Sequence, residues 1–414
     1  MSALPWLFVF YLLSLTTSIA GMELFSGLIF FTVLFAYHKK KGSLPQLVIP
    51  RSLFFIALGL ITAAILSGLL NPDYSLKDLR YIIGEQRWLL LLFFISIGLV
   101  ALEKRWKQGL QVLTYLGLAL SLYSIVQAFT GIDIVRSAPY AIDGTRGLGL
   151  WRAKGFFSNT MTYSYTFGFI LCLLTGVLLY TPFREKKQWG LYLLTTTAIG
   201  SSLFFTWTRG VWLALAGGLL VALIYKSRKQ AVVALASCSI LFTLIFSLSP
   251  TFRNSIDSIT DSKYASNIER LSIWKAHWEM FLDSPIIGKG YRLQSRYLPE
   301  YYEKLGIQSE FISHAHNNFL QFLAGTGLTG FLFYVAFSLG CLIYAHKLFL
   351  KIPKEDHLHK GWIVGVLAAL VTFHLGGMTE ASFVDGEVRH MLVFTLATLF
   401  AVGYKYDPPK LSAP

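Results

Sequence analysis

Long apolar runs alternate with short polar breaks over most of the chain. Runs able to cross a hydrocarbon core about 30 Å thick lie near 4–19, 22–37, 51–70, 88–102, 109–130, 159–181, 189–206, 210–225, 231–248, 317–345, 361–379 and 390–404. Only helices satisfy their own backbone inside lipid when runs are this long and unbroken. The pattern therefore predicts an all-α integral membrane protein with about 12 transmembrane helices. The first run has no basic stretch before it and no small-residue cleavage pattern after it, so it reads as a retained helix rather than a removable signal. One polar stretch, 250–316, is too long for a simple connection. Within it Leu271, Trp274, Trp278, Phe281 and Leu282 recur at helical spacing and Pro285 ends the pattern. That is an amphipathic helix suited to the membrane surface or to the top of the bundle. The organisation expected is nine transmembrane helices over 1–249, a partly helical loop over 250–316, and three transmembrane helices with a short tail over 317–414.

Composition agrees: the 414 residues are 54% hydrophobic and only 14% charged, far from a soluble domain of this length. A formal net charge of +14 invites a nucleic-acid partner, but the basic residues fall in short clusters between apolar runs, so no nucleic acid is expected. These clusters are His38-Lys39-Lys40-Lys41, Lys104-Arg105-Trp106-Lys107, Arg184-Glu185-Lys186-Lys187, Lys226-Ser227-Arg228-Lys229, the stretch 347–360 and Lys405. They occupy alternate connections, which by the positive-inside rule makes those connections and both termini cytoplasmic. The long connections 132–159 and 250–316 then face the other side of the membrane. Cys172, Cys238 and Cys341 all lie in apolar runs, which suggests neither a disulfide framework nor a thiolate metal site.

Candidate chemistry concentrates on that outer side, in the stretch from His316 to Gly330. A helix running from His316 would bring Gly327 beneath it about three turns on, with Gly330 one short turn further. Glycines on such a stripe let a neighbouring helix approach closely, which would fix the depth and rotation of His316. The outer segments also hold more arginine than the positive-inside rule allows: Arg80, Arg87, Arg136, Arg146, Arg152, Arg209, Arg253, Arg270, Arg292, Arg296 and Arg389. Something anionic is expected to compensate them. Arg209, in Trp207-Thr208-Arg209-Gly210, sits between two apolar runs and opens the next helix, where the first amides also favour an anion. Snorkelling to lipid headgroups is the alternative for Arg209, and a solvated pair with Glu269 or Glu279 is the alternative for Arg270. No spacing singles out Glu380, Asp385, Glu387, Arg389 or His390, and Glu380 and Asp385 read as loop charges. His314 and His316, two apart, would point to different sides of a helix, so no metal site and no cofactor is predicted.

These residues resemble the superfamily of O-antigen ligases and O-antigen polymerases, bacterial envelope glycosyltransferases. His316-Asn317, followed after nine residues by Gly327 and Gly330, matches its histidine motif at every specified position. Thr208-Arg209-Gly210 matches its arginine turn, and Glu269-Arg270 with Trp274, Pro285, Gly288 and Gly290 matches its second arginine segment. Arg152-Ala153-Lys154-Gly155 through Asn159 is similar to the segment that leads into the family's middle helices. The resemblance covers about residues 150–345 by motif.

It implies metal-independent, inverting transfer of a glycan from undecaprenyl pyrophosphate, at the periplasmic face of the bacterial inner membrane. His316 would be the catalytic base, Arg209 and Arg270 would hold the pyrophosphate, and Asn317, Arg152, Trp274, Gly327 and Gly330 would support the site. The ligase, which would deliver the glycan to a lipid A–core sugar, is favoured because basic residues over 80–87 could meet an anionic core; the alternative is a polymerase, which would deliver it to another undecaprenyl-linked repeat. Protein O-oligosaccharyltransferases share the histidine motif, but a sizeable C-terminal extension would be expected of them. A polyprenyl-linked sugar transporter or flippase is the alternative of a different class. It would place functional charge near the bilayer midplane, where His374 is the main candidate.

Overall fold

The computed structural model describes residues 2–39, 48–136, 150–248, 250, 253 and 265–408. Lys40 and Lys41 of the first basic cluster, Arg146, the Cys238 side chain, most of 249–264 and the last residues of the tail lie outside the described residues. The helices are α1 (Leu4–Leu15), α2 (Ile19–Lys39), α3 (Arg51–Leu69), α4 (Leu76–Gln86), α5 (Trp88–Ala101), α6 (Trp106–Thr130), α7 (Thr160–Tyr180) and α8 (Lys186–Phe204). After these come α9 (Arg209–Lys226), α10 (Arg228–Leu248), α11 (Ala265–Asp283), α12 (Gln294–Lys304), α13 (Asn318–Lys351), α14 (His357–Gly376) and α15 (Gly386–Tyr406).

Each of the predicted apolar runs falls on a helix, and the chain is an all-α, multi-pass membrane protein. Among the described residues 10 segments are long and apolar enough to cross a membrane. The two runs outside that set are α1, which has only 12 residues, and α8, which opens on Lys186, Lys187 and Gln188 and carries three consecutive threonines from Thr195. The fourth run starts earlier than its apolarity suggests. A Ser75–Asp78 capping box begins α4, so helix continues almost unbroken through Arg87 into α5.

The bundle is built around α14. Gly176 of α7 faces the backbone of Gly361 and Gly365, and Gly218 of α9 faces Thr372 and the carbonyl of Ala368. With no Cβ in the way, α14 lies backbone to backbone between α7 and α9. The charged groups segregate to two ends. At one, Lys405 pairs with Glu103 at 2.9 Å and Lys351 with Asp407 at 2.6 Å, while Trp106 packs against His359 and edge-on to Trp362. At the other, Glu23 meets Arg87 and His390, and Thr162 donates to Asp385 at 2.6 Å. His316 belongs to this second end, which carries the loops before α7, α9, α13 and α15. Among the described cysteines, Cys172 and Cys341 are buried free thiols.

The expected glycine stripe is corrected by the geometry of α13. Gly327 has φ 61° and ψ −168°, a combination open essentially to glycine alone, and it breaks the helix rather than receiving a neighbouring helix. The segment 285–290 fills the break. Leu328 N–H donates to Pro285 at 2.8 Å and Thr329 Oγ1 to Ile286 at 2.8 Å. On the other side of the break, Lys289 and Gly290 N–H donate to Ala324 and Gly325 at 2.8 and 3.0 Å. Irregular backbone is tolerated here because these freed groups find partners inside the protein. Gly330 faces its own helix's Thr326, not another helix.

A Cβ at Gly327 would lie 2.4 Å from the Ile286 carbonyl carbon. Gly327→Ala is therefore expected to cost about 2 kcal/mol or more, whereas Gly190→Ala, on a helix with nothing within 4 Å of its Cβ, should add about 0.5–1 kcal/mol. Thermal unfolding of the two variants in detergent checks both signs.

Candidate functional site

His316 is not the first residue of a helix. Asn317 is the N-cap of α13, its Oδ1 accepting from Phe319 and Leu320 N–H at 2.8 and 3.1 Å, and His316 lies outside it with φ 45°. A left-handed residue other than glycine costs on the order of 1 kcal/mol and persists only when its surroundings hold it. Here they do. Ala315 N–H donates to Gln321 Oε1 at 2.9 Å, Trp274 Nε1–H donates to the Ala315 carbonyl at 2.9 Å, and Asn317 Nδ2–H donates to the Met378 carbonyl at 3.0 Å. Phe311 stacks on the imidazole, with ring planes 12° apart.

The partner of His316 is Glu380, in the turn after α14. His316 Nδ1 lies 3.0 Å from one carboxylate oxygen and His314 Nε2 3.4 Å from the other. Because His314 and His316 are in irregular backbone, both face the same carboxylate, contrary to the opposed directions that a helix would impose. Glu380 is 8% exposed, and the reading of it as a loop charge is corrected with it. The turn is fixed in place by Asn318, whose N–H donates to Gly377 at 2.7 Å and whose Oδ1 accepts from Phe383 N–H at 2.9 Å.

A carboxylate has no proton to give, so each imidazole donates to it. His316 then carries its proton on Nδ1 and leaves the Nε2 lone pair open. His314 carries its own on Nε2, which agrees with its Nδ1 accepting the His316 N–H at 3.2 Å. The ligand atoms of His314, His316 and Glu380 all lie within 4.8 Å of one another, close enough for a metal ion. Coordination through His314 Nε2 would need the opposite tautomer and would sacrifice the His316 N–H bond, so this donor set fits a hydrogen-bonded cluster better. Burial alone would raise the Glu380 carboxyl, but the hydrogen bond from His316 holds it below the usual value. Burial pushes the His314 imidazole down. It pushes His277, which donates Nδ1–H to Ile273 beside this pair, down to about 4.

Both arginine segments reach this cluster. At the start of α9, a Cβ on Gly210 would lie 2.7 Å from Thr379 Oγ1, so the Thr208-Arg209-Gly210 turn presses on the residue next to Glu380. Arg152 and Ala153 support that turn from behind, Arg152 Nε–H donating to Thr206 at 2.9 Å and Ala153 N–H to Phe205 at 3.0 Å. Arg270 stands one turn before Trp274 on the same face of α11, and Trp274 is the residue that pins Ala315. The Tyr165 hydroxyl on α7 lies within electrostatic reach of both Glu380 and Arg270. His316, Glu380, Arg209 and Arg270 thus gather from four separate parts of the chain.

Four of the other arginines are compensated by the protein itself. Arg87 pairs with Glu23 and Arg296 with Asp78, and Arg292 and Arg389 share Glu85 at 3.4 Å each. The 80–87 connection therefore offers less free positive charge than its sequence suggests.

Glu380 and His314 escaped the sequence reading because their positions depend on tertiary folding. The one available signal was an acidic residue set among apolar neighbours, Ala381, Phe383 and Val384. A carboxyl held low in the fold stabilises it above its unfolded value and stops doing so as pH falls through the folded one. Wild-type protein should lose thermal stability on acidification below about pH 4, and Glu380→Gln should show a flatter loss, read from melting temperature against pH.

Residues 193–335 match the family model described as O-antigen ligase. No curated protein matches the chain.

Proposed function

We propose, from the match of residues 193–335 to the family model described as O-antigen ligase, that the chain is a member of that superfamily and transfers a glycan from undecaprenyl pyrophosphate to a lipid A–core sugar hydroxyl. The general activity, glycosyl transfer of the ligase and polymerase type, follows from the family; the donor, the acceptor and the residue roles are the proposal. The reaction would take place at the periplasmic face of the bacterial inner membrane, with both termini cytoplasmic. The observation that carries the mechanism is the 3.0 Å contact from His316 Nδ1 to Glu380, which leaves Nε2 open to act as the base.

In the proposed step the acceptor oxygen attacks the anomeric carbon from the face opposite the pyrophosphate. His316 Nε2 takes the hydroxyl proton while Glu380 stabilises the resulting imidazolium. The bond from the anomeric carbon to the phosphate oxygen breaks, and its electron pair leaves with the pyrophosphate. Arg209 and Arg270 stabilise that growing charge with paired N–H donors, which guanidinium supplies better than ammonium. Positive charge already in place before reaction lowers the barrier without reorganisation. No metal is needed in this scheme, because the leaving group is already a good one and the arginines carry its charge.

The polymerase reading uses the same centre and differs only in the acceptor. The transporter reading has less support: the space beside His374 is about 10 Å³, lined largely by Tyr334, Phe337, Leu370, Phe373 and Phe383, no larger than one water. Transfer by purified protein in nanodiscs, with undecaprenyl-pyrophosphate glycan and either lipid A–core or a second donor molecule, tests the proposal. Product on lipid A–core in the presence of EDTA is expected. Chain lengthening without lipid A product would make the protein a polymerase, and no covalent product with either acceptor would favour the transporter. His316→Ala should lower turnover by about 10²- to 10⁴-fold. Glu380→Gln, which keeps the shape but loses the charge that stabilises the imidazolium, should lower it on the order of 10²-fold.

A further inference from the structure

The bundle side of the site holds a polar group with nothing to bind. Tyr165 is 2% exposed on α7, yet its hydroxyl has no hydrogen-bond partner among the described residues. Ser382 is near, but the two hydroxyls do not meet in hydrogen-bond geometry. Two residues earlier on the same helix, the Tyr163 hydroxyl is satisfied, donating to Ser202 Oγ at 2.7 Å. The position of the orphan oxygen is well defined. A Cβ on Gly376 would lie 2.6 Å from it, which sets it against the turn that leads to Glu380, and Glu380 and Arg270 are the charges that act on it. An unpaired buried hydroxyl lowers stability, and a native site that keeps one calls for a partner absent from the free protein.

Resting on the transfer reading above, we propose that Tyr165 is a further substrate-contacting residue, its O–H donating to a phosphoryl oxygen of the pyrophosphate leaving group beside Arg270. Tyr165 lies more than one turn inside a membrane-spanning helix, on the bilayer side of the Glu380 turn. A phosphate carried on a lipid chain arrives from that side, whereas the acceptor hydroxyl must meet His316 Nε2. As the glycosidic carbon–oxygen bond breaks, charge grows on the leaving phosphoryl oxygens and the Tyr165 hydrogen bond strengthens. The proton stays on the tyrosine, and the acceptor's proton still passes to His316.

Tyr165→Phe separates this role from a structural one, because the hydroxyl it deletes has no partner to lose. The expected result is an unchanged or higher melting temperature, with affinity for undecaprenyl pyrophosphate, titrated alone, and turnover both reduced about 10- to 100-fold, and with the acceptor KM unchanged. Tyr163→Phe, which deletes the Ser202 hydrogen bond, should melt lower and bind undecaprenyl pyrophosphate normally. Unchanged affinity and turnover in Tyr165→Phe would overturn the proposal, as would a change confined to the acceptor KM or an equal loss of affinity in Tyr163→Phe. Wild-type protein that neither binds undecaprenyl pyrophosphate nor transfers from it would overturn the transfer reading itself, and this proposal with it.

Discussion

Backbone groups freed inside a membrane protein must be satisfied by protein, and the break at Gly327 is where that constraint organises the rest of the chain. A helix interrupted in a bundle exposes donors and acceptors that lipid cannot meet. The segment 285–290 meets them from both sides, so the end of α11 is anchored within α13. That anchoring turns a polar stretch which lipid alone would hold loosely into a fixed wall. It is why Trp274 reaches Ala315 and why Arg270, one turn away, stands over the same site as His316.

Glu380 shows a second constraint acting at shorter range. A buried carboxylate is expensive unless each oxygen is used, and here one oxygen faces His316 and the other faces His314 while also accepting the Ala381 N–H at 3.1 Å. The arrangement decides which imidazole nitrogen is open, and hence in which direction the site can act as a base. The left-handed backbone at His316 is part of the same solution. A helical His316 would point along α13, away from the turn after α14.

Much of this architecture was legible in the sequence, because hydrophobic run length and charge clustering are local properties. The helices fall where the runs predict, and the motif segments that carry His316, Arg209 and Arg270 lie near one another in the fold. What periodicity does not reveal is where a helix begins to be irregular. Spacing puts His316 at the top of a helix because periodicity does not mark where the cap falls. Only the Met378 and Gly377 carbonyls, some 60 residues away in the chain, settle the choice. Gly327 likewise reads as a packing glycine, since spacing alone does not distinguish a close helix contact from a positive φ. The close contacts lie instead at Gly176, Gly218, Gly361 and Gly365, inside runs whose composition gives no such hint. Glu380 carries no local signal because its histidine partners are long-range neighbours.

The arginines divide into two groups for one electrostatic reason. Arg87, Arg292, Arg296 and Arg389 lie where a carboxylate of the protein can be brought close, and they join α2, α4, α12, α15 and the loop before α12 at the histidine end. Their charge is spent within the fold and draws little anion from outside. Arg209 opens a helix whose first amides add to the positive field at that turn, and Arg270 has no carboxylate partner among the described residues. On the proposed reading, a site that receives an anionic leaving group has its positive charge in place before the ligand arrives, and the buried acid beside it, Glu380, is already held by two histidines. The cost of that readiness is carried by the surrounding structure: strained backbone at His316 and Trp207, an unpaired hydroxyl at Tyr165, and a broken helix at Gly327. All are features that a bundle built for stability alone would lack.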